Sequence, residues 1–186
     1  MIRMTTGILT LLVLLVPPAP GHASAPGDFF IRARGLIVTG SGWVSITATY
    51  DDNIAHWLTW SGLYRGVWFD VEDFGASPSS GMLLSYTEYW FYHHASYPWD
   101  TASFYAELWN GDAVSPTACL DQTSMIATHY SAVTCAYSPS IIAEDDFWGL
   151  VNTSMSSGGW PSTLCDDGPN FTGQPHSFYS EDFIIW

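Results

Sequence analysis

Two aspartate pairs supply the oxygen donors that a cation needs. Asp51-Asp52-Asn53 and Asp166-Asp167 each follow a strand-like stretch and break into turn chemistry. Carboxylate and amide oxygens are what calcium takes, and Glu144-Asp145-Asp146 is a third such cluster. None has the spacing of an EF-hand loop, and aspartate also makes turns and caps without any ion. The specific expectation is that Asp51 or Asp52 meets Asp166 or Asp167 in space. Carboxylates brought together repel and raise one another's pKa. The two clusters then need a counter-charge: a structural calcium, or Arg65 reaching in.

The aromatic residues offer a second chemistry. Ten Trp, ten Tyr and ten Phe lie in a chain of 186 residues. A flat aromatic face gives apolar area beside a polar tip, which suits stacking against a sugar ring. Trp68, Trp99, Trp109 and Trp160 fall on outward or loop positions and are the candidate platform. The competing use of the aromatics is core packing and cross-strand pairing.

Catalytic patterns are scarce. There is no Gly-x-Ser-x-Gly elbow, no Gly-rich phosphate loop and no lysine for Schiff-base chemistry. His93-His94 are adjacent, and adjacent strand residues point to opposite faces, so they cannot share one ion; loop solvation is their expected role. Cys119 and Cys135 bracket one loop-and-strand unit and are the expected disulfide, stabilising by about 3 kcal/mol. Cys165 is left over, buried or free. No Cys-x-x-Cys pattern supports zinc.

These residues need rigid elements to hold them, and the pattern is β throughout. Met82–Tyr92 and Ser103–Trp109 are two aromatic-rich arms around a polar, Pro-containing break, and strands of this kind belong in the middle of a sheet. In the second arm Phe104, Ala106 and Leu108 alternate with Ser103, Tyr105, Glu107 and Trp109. In the first, nearly every position is large and neither face stands out as the inner one. Further strands are expected at about Phe29–Arg34, Trp43–Tyr50, Trp57–Trp60, Gly66–Val71, Met125–Thr128, Val133–Tyr137, Phe147–Asn152 and Phe183–Trp186. Gly, Pro, Ser and Asp punctuate them, and no apolar stripe of helical period runs for three turns. Short strands with turn chemistry between them mean a sandwich or a barrel. An outer-membrane barrel needs strands of about ten residues with an unbroken apolar face; Asp182 and Ser180 interrupt that pattern near the end.

Residues 1–23 read as a signal peptide. Arg3 is the basic start, Gly7–Val16 the apolar run and Ala23 the cleavage position, since cutting after Ala25 would leave Pro26 first. The remaining 24–186 make one domain, large enough to bury about 70% of its unfolded surface. The expected location is secreted, cell surface or periplasmic. Four cations stand against 18 acids, for a net charge of −14. Nucleic acid and anionic lipid both require basic residues, so neither is an expected partner, and no membrane insertion is expected. The acidity fits a solvated surface, or one holding a divalent cation.

From Tyr50 onward the chain resembles the jelly-roll accessory domains of secreted bacterial multidomain proteins. Tyr50-Asp51-Asp52 matches the family's Tyr-Asp-Asp-Gly, with Asn53 in the glycine position. Gly66-Val-Trp-Phe69, Glu88–Tyr92, Phe104–Asn110, Asp146-Phe-Trp-Gly-Leu150, Asp166, Ser177-Phe178 and Trp186 match its later motifs. The family's closing Gly-Asp-aromatic-Ile-Arg-Ala strand is missing after Trp186, and Gly27-Asp-Phe-Phe-Ile-Arg-Ala33 stands at the other end. The resemblance therefore implies a circularly permuted, two-sheet antiparallel β-sandwich of jelly-roll type, with Phe29–Arg34 pairing beside the C-terminal Phe183–Trp186 region or its sheet neighbour. Glu88-Tyr-Trp-Phe-Tyr92 is also similar to the nucleophile strand of small jelly-roll xylanases, for which Glu107 or Glu181 would be the second carboxylate. The sequence reading is a secreted, non-catalytic binding or surface module. The alternative is a carbohydrate-binding module contacting polysaccharide or a cell-surface component, and a jelly-roll glycoside hydrolase is the third reading.

Overall fold

The computed structural model describes residues 25, 27–60, 62–168 and 175–183. Among them the chain forms β1 (Ile31–Thr39), β2 (Gly42–Ala48), β3 (Trp57–Thr59), β4 (Tyr64–Asp70), a 3-10 turn (Val71–Phe74), β5 (Met82–Trp90) and β6 (Ser103–Gly111). It continues through β7 (Pro116–Ile126), β8 (Ala132–Ala143), β9 (Asp146–Asn152), β10 (Thr163–Cys165) and β11 (Ser177–Ser180). One sheet has the order β2-β1-β5-β8, the other β11-β4-β9-β6-β7, and β10-β3 make a two-stranded sheet. Pairing is antiparallel throughout these sheets.

The two larger sheets are open and pack face to face, which makes the fold a β-sandwich. Phe104, Ala106 and Leu108 of β6 enter a shared core with Phe69 of β4 and Phe147 of β9. Ile31 and Ile37 of β1 and Met82, Leu84 and Tyr89 of β5 meet them from the other side. Burying each large apolar side chain stabilises by about 1.5–3 kcal/mol. β5 and β6 are interior strands, as expected of the two arms, but of opposite sheets.

The inner face of β5 changes parity along the strand. Met82 and Leu84 are buried before Ser85, whereas Thr87, Tyr89 and Phe91 are buried after it. The register shifts between Leu84 and Tyr86 against both β1 and β8, so Ser85 is an extra residue that turns the following side chains over. Gly35 of β1 lies at this bulge. A Cβ there would stand 2.2 Å from the Leu83 carbonyl oxygen, so the close approach of the two backbones requires glycine.

The outer face of the five-stranded sheet is covered as well. Trp68, Trp148, Leu150 and Phe178 form a second apolar cluster, flanked by Tyr64, Trp109 and Phe183. The Trp148 indole donates to the Asp112 carbonyl at 2.9 Å.

Several sequence expectations are corrected here. Phe29–Arg34 does not pair with β11: β1 runs in the four-stranded sheet, with β2 and β5 as its neighbours, while β11 edges the other sheet. The N-terminal segment meets β11 at Ser177: Ala25 N–H donates to its carbonyl and Phe29 N–H to its Oγ, both at 2.9 Å, and that Oγ donates to Asp28 Oδ1 at 3.1 Å. Cys119, Cys135 and Cys165 are all free. Cys119 is exposed on β7, opposite Trp109. Cys135 is buried in the core from β8, in the facing sheet, so one thiol faces solvent and the other the interior. Burial pushes the Cys165 thiol up to about 12, helped by Asp166 and Asp28. The signal segment 1–23 and residues 184–186 of the expected last strand lie outside the described residues.

Acid crowds one edge of the outer face. Asp146 stands directly across from Asp70 in the β4–β9 ladder. Burial, then the charges of Asp70, Asp145 and Asp112, push its carboxyl up to about 6. An acid with a raised folded pKa favours the native state when protonated, so this contribution is present at low pH and is lost as pH rises through about 6. At pH 7 the ionised group is a net cost, reduced by solvent screening because the residue is only half-buried. Asp146→Asn should therefore stabilise by about 1 kcal/mol at pH 7 and raise Tm by about 2–4 °C. Melts at pH 7 and pH 4 check this: the gain should shrink at the lower pH.

Candidate ligand-binding site

Apart from Trp43 of β2, the exposed aromatics gather at one end of the sandwich. β3 brings Trp57 and, just beyond it, Trp60; the end of β5 brings Trp90 and Tyr92. The segment between β5 and β6 adds His94 and Tyr97, the β7–β8 turn adds His129 and Tyr130, and the approach to β10 adds Trp160.

Their rings form a continuous ribbon. Trp160 lies 5.5 Å from Trp60, and Trp60 stacks on Tyr97 at 5.3 Å with 29° between planes. Tyr97 lies 5.5 Å from His94, His94 6.3 Å from Tyr92, Tyr92 5.9 Å from Tyr130, and Tyr130 6.5 Å from Trp90. Large aromatics normally bury most of their area. Here Trp57 is 54%, Trp60 40%, Tyr97 52% and Tyr130 58% exposed. A cleft of about 320 Å³ opens along the ribbon among His56, Trp57, Leu58, Tyr92, His94 and Tyr130. A second, of about 220 Å³, continues past Tyr130 to Trp90, Arg32 and Asn53. Imidazole, phenol, amide and guanidinium groups thus line an otherwise apolar channel.

The ribbon rests on polar staples. Ser162 Oγ donates to the Tyr92 carbonyl at 2.7 Å and accepts the Trp99 indole N–H at 2.9 Å. His93 N–H donates to His129 Nδ1 at 3.1 Å, and Tyr130 N–H to the Phe91 carbonyl at 2.8 Å. Beneath Trp60 and Trp160, Arg65 is fully buried. Its guanidinium donates to the carbonyls of Pro161 (2.7 Å) and Gly159 and to Thr163 Oγ1 (3.0 Å). Burial pulls the guanidinium down to about 9, with Glu181 and Cys165 working the other way. Gly159 has φ +69, and a Cβ there would stand 2.1 Å from the Trp60 carbonyl oxygen, so the two tryptophan-bearing segments meet only through glycine.

The four tryptophans nominated from sequence separate. Trp160 belongs to the ribbon, and Trp99 backs it, 5.0 Å from His93 and packed on the core. Trp68 is buried on the outer face, stacked 4.9 Å from His176, and Trp109 is half-buried there with its indole on Glu107. Sequence reasoning missed Trp57, Trp60, Tyr92, Tyr97 and Tyr130. The available signal was an aromatic-histidine run, Tyr92–Tyr97, inside a polar Pro-containing break where no strand face exists to bury it.

The aspartate clusters do meet. Asp166 Oδ2 accepts the Asp52 backbone N–H at 3.3 Å, and Asp166 Oδ1 accepts that of Asp28 at 2.7 Å. The arginine at these clusters is not the expected Arg65. Arg32 grips Asp51 with two bonds, Nε to Oδ2 at 2.9 Å and Nη2 to Oδ1, and Arg65 faces away into its own carbonyl cage. Asp167 lies 3.7 Å from His56. Asn53 has φ +68, the left-handed backbone its turn requires. These donors do not fit a calcium site. Each oxygen of Asp51 and Asp166 already accepts at least one hydrogen bond, and among the described residues no group of three or more His, Cys, Asp or Glu is placed to hold a metal ion.

Comparison with family models, with curated proteins and with solved structures finds no match to this chain.

Proposed function

We propose that this chain is an exported, non-catalytic module that binds a glycan chain along the aromatic ribbon. The observation that carries the reading is the unbroken run of rings from Trp160 through Trp60, Tyr97, His94 and Tyr92 to Tyr130, in which Trp60, Tyr97 and Tyr130 are exposed side by side. Ring after ring suits a polymer of sugar rings, each offering an apolar C–H face to an aromatic plane and its hydroxyls to the polar tips. Histidine, phenol and amide groups supply those hydrogen bonds at little electrostatic cost. Polysaccharide or a cell-surface glycan is the partner, and residues 1–23 are the export signal.

Binding is favoured over hydrolysis by where the carboxylates lie. A glycosidase needs two across one cleft. Glu88 is on β5 of the four-stranded sheet, Glu107 on β6 of the other, and Glu181 follows β11 with its Oε1 accepting the Gly62 N–H. The jelly-roll type is part of the same reading: the chain changes sheets between β4 and β5, β5 and β6, β7 and β8, and β8 and β9.

The test is depletion of the protein from solution by a panel of insoluble polysaccharides. Retention on at least one is expected, with Trp60→Ala weakening it about tenfold or more while the thermal midpoint stays near wild type. No retention on any member, or equal retention of the variant, would falsify the reading.

A further inference from the structure

Glu107 is 1% exposed, although it points to the outer face of the five-stranded sheet. Its Oε1 accepts from Gln122 Nε2 at 2.7 Å and Asn152 Nδ2 at 2.6 Å, and its Oε2 from Trp109 Nε1 at 2.8 Å. All three donors are neutral. Among the described residues the ion pairs lie elsewhere, on Asp51, Asp167 and Asp73. A carboxylate has about four acceptor positions, so one on Oε2 remains, and Glu107 itself lines a cleft of about 210 Å³.

The rest of that cleft is walled by the rings of Tyr64, Trp109 and Phe183 and by the amides of Gln122 and Asn152. Phe183 lies 4.9 Å from Tyr64 in an edge arrangement and 4.7 Å from Trp109. A partly dry negative charge beside three aromatic rings has one natural complement. Ring faces attract a cation, most strongly where water is excluded, and the carboxylate offers acceptors only. A net charge of −14 adds long-range attraction of the same sign.

The geometry points to a second ligand site, separate from the ribbon, in which Glu107, Tyr64, Trp109 and Phe183 hold a small organic cation with a quaternary or N-alkylated ammonium head. The N-methyl groups rest against the rings, and the positive charge sits against Glu107 Oε2. Gln122 and Asn152 hold the carboxylate in place. No covalent step is involved.

Choline chloride is the probe, titrated into the full chain and followed by calorimetry and tryptophan fluorescence. Its neutral isostere 3,3-dimethylbutan-1-ol is the matched control. Choline should saturate at roughly millimolar concentration, with the isostere at least about tenfold weaker. Phe183→Leu, which keeps apolar bulk without a π face, should lose choline affinity about fivefold or more and keep its retention on polysaccharide. Equal binding of choline and its isostere would reduce the cleft to an apolar pocket and overturn the assignment. So would no choline binding, or unchanged affinity in the Phe183 variant.

Discussion

Replacing Arg65 by methionine should lower stability by about 3 kcal/mol and Tm by about 6–12 °C. The side chain is fully buried, and its N–H groups fill the carbonyls of Gly159 and Pro161 and the hydroxyl of Thr163. Each acceptor left dry costs about 1–3 kcal/mol. Relief of burying a charge works the other way, as the downward pull on the guanidinium shows; three orphaned acceptors outweigh it. Because those acceptors carry Trp160 and abut Trp60, glycan retention should fall even at temperatures where the variant is folded. Lysine should recover little, since a single ammonium cannot span acceptors that a planar fork reaches together. Chemical melts of both variants beside their polysaccharide retention check this. A methionine variant as stable as wild type would mean that the cage closes without its centre.

Much of the architecture was legible because it rests on local chemistry. The alternation of Phe104, Ala106 and Leu108 gave the inner face of β6, and the strand expected at Phe147–Asn152 is β9, one residue longer at its start. What failed was long-range. No residue between Met82 and Tyr92 announces that Ser85 is an extra residue, so the two halves of β5 bury opposite parities and no simple alternation exists to be read. β10 was invisible because three residues following a proline carry no period. β8 extends past Pro139 because residues 137–140 have no partner across β5, and a proline costs no ladder bond where no ladder exists.

The site was less legible than the fold, for a related reason. Trp68 and Trp109 face outward by strand parity, which on an open sheet means solvent. The second apolar cluster, with Phe178 and Phe183 beside them, turns that face into another interior. Trp60 and Tyr97 are distant in sequence and become a stacked pair only because Ser162 ties the segment around Tyr92 and Trp99 to the approach to β10. Cys119 and Cys135 show the converse error: closeness along the chain says nothing about which sheet each thiol enters.

Asp166→Ala should cost about 3 kcal/mol, and the reason also bears on calcium. Asp166 is fully buried, and its carboxylate accepts backbone N–H groups from Asp28, Asp52 and Gly168 at 2.7, 3.3 and 3.2 Å. Three segments far apart in sequence are thus joined at one side chain: the run into β1, the turn before β3, and the exit from β10. Hydrogen bonds to an ionised acceptor are worth about 1.5–3 kcal/mol each; alanine leaves N–H groups of this joint without an acceptor. Asparagine should cost roughly half as much, because one oxygen survives while an amide N–H₂ replaces the other as acceptor. Calcium enters as a competitor for the same oxygens. To bind at Asp166 it would have to displace backbone donors, and at Asp51 it would have to displace Arg32. Melts of the wild type in EDTA and in excess calcium should therefore superimpose. A midpoint several degrees higher in calcium would mean that the ion outcompetes these donors, and the same shift should then disappear in the Asp166 variants.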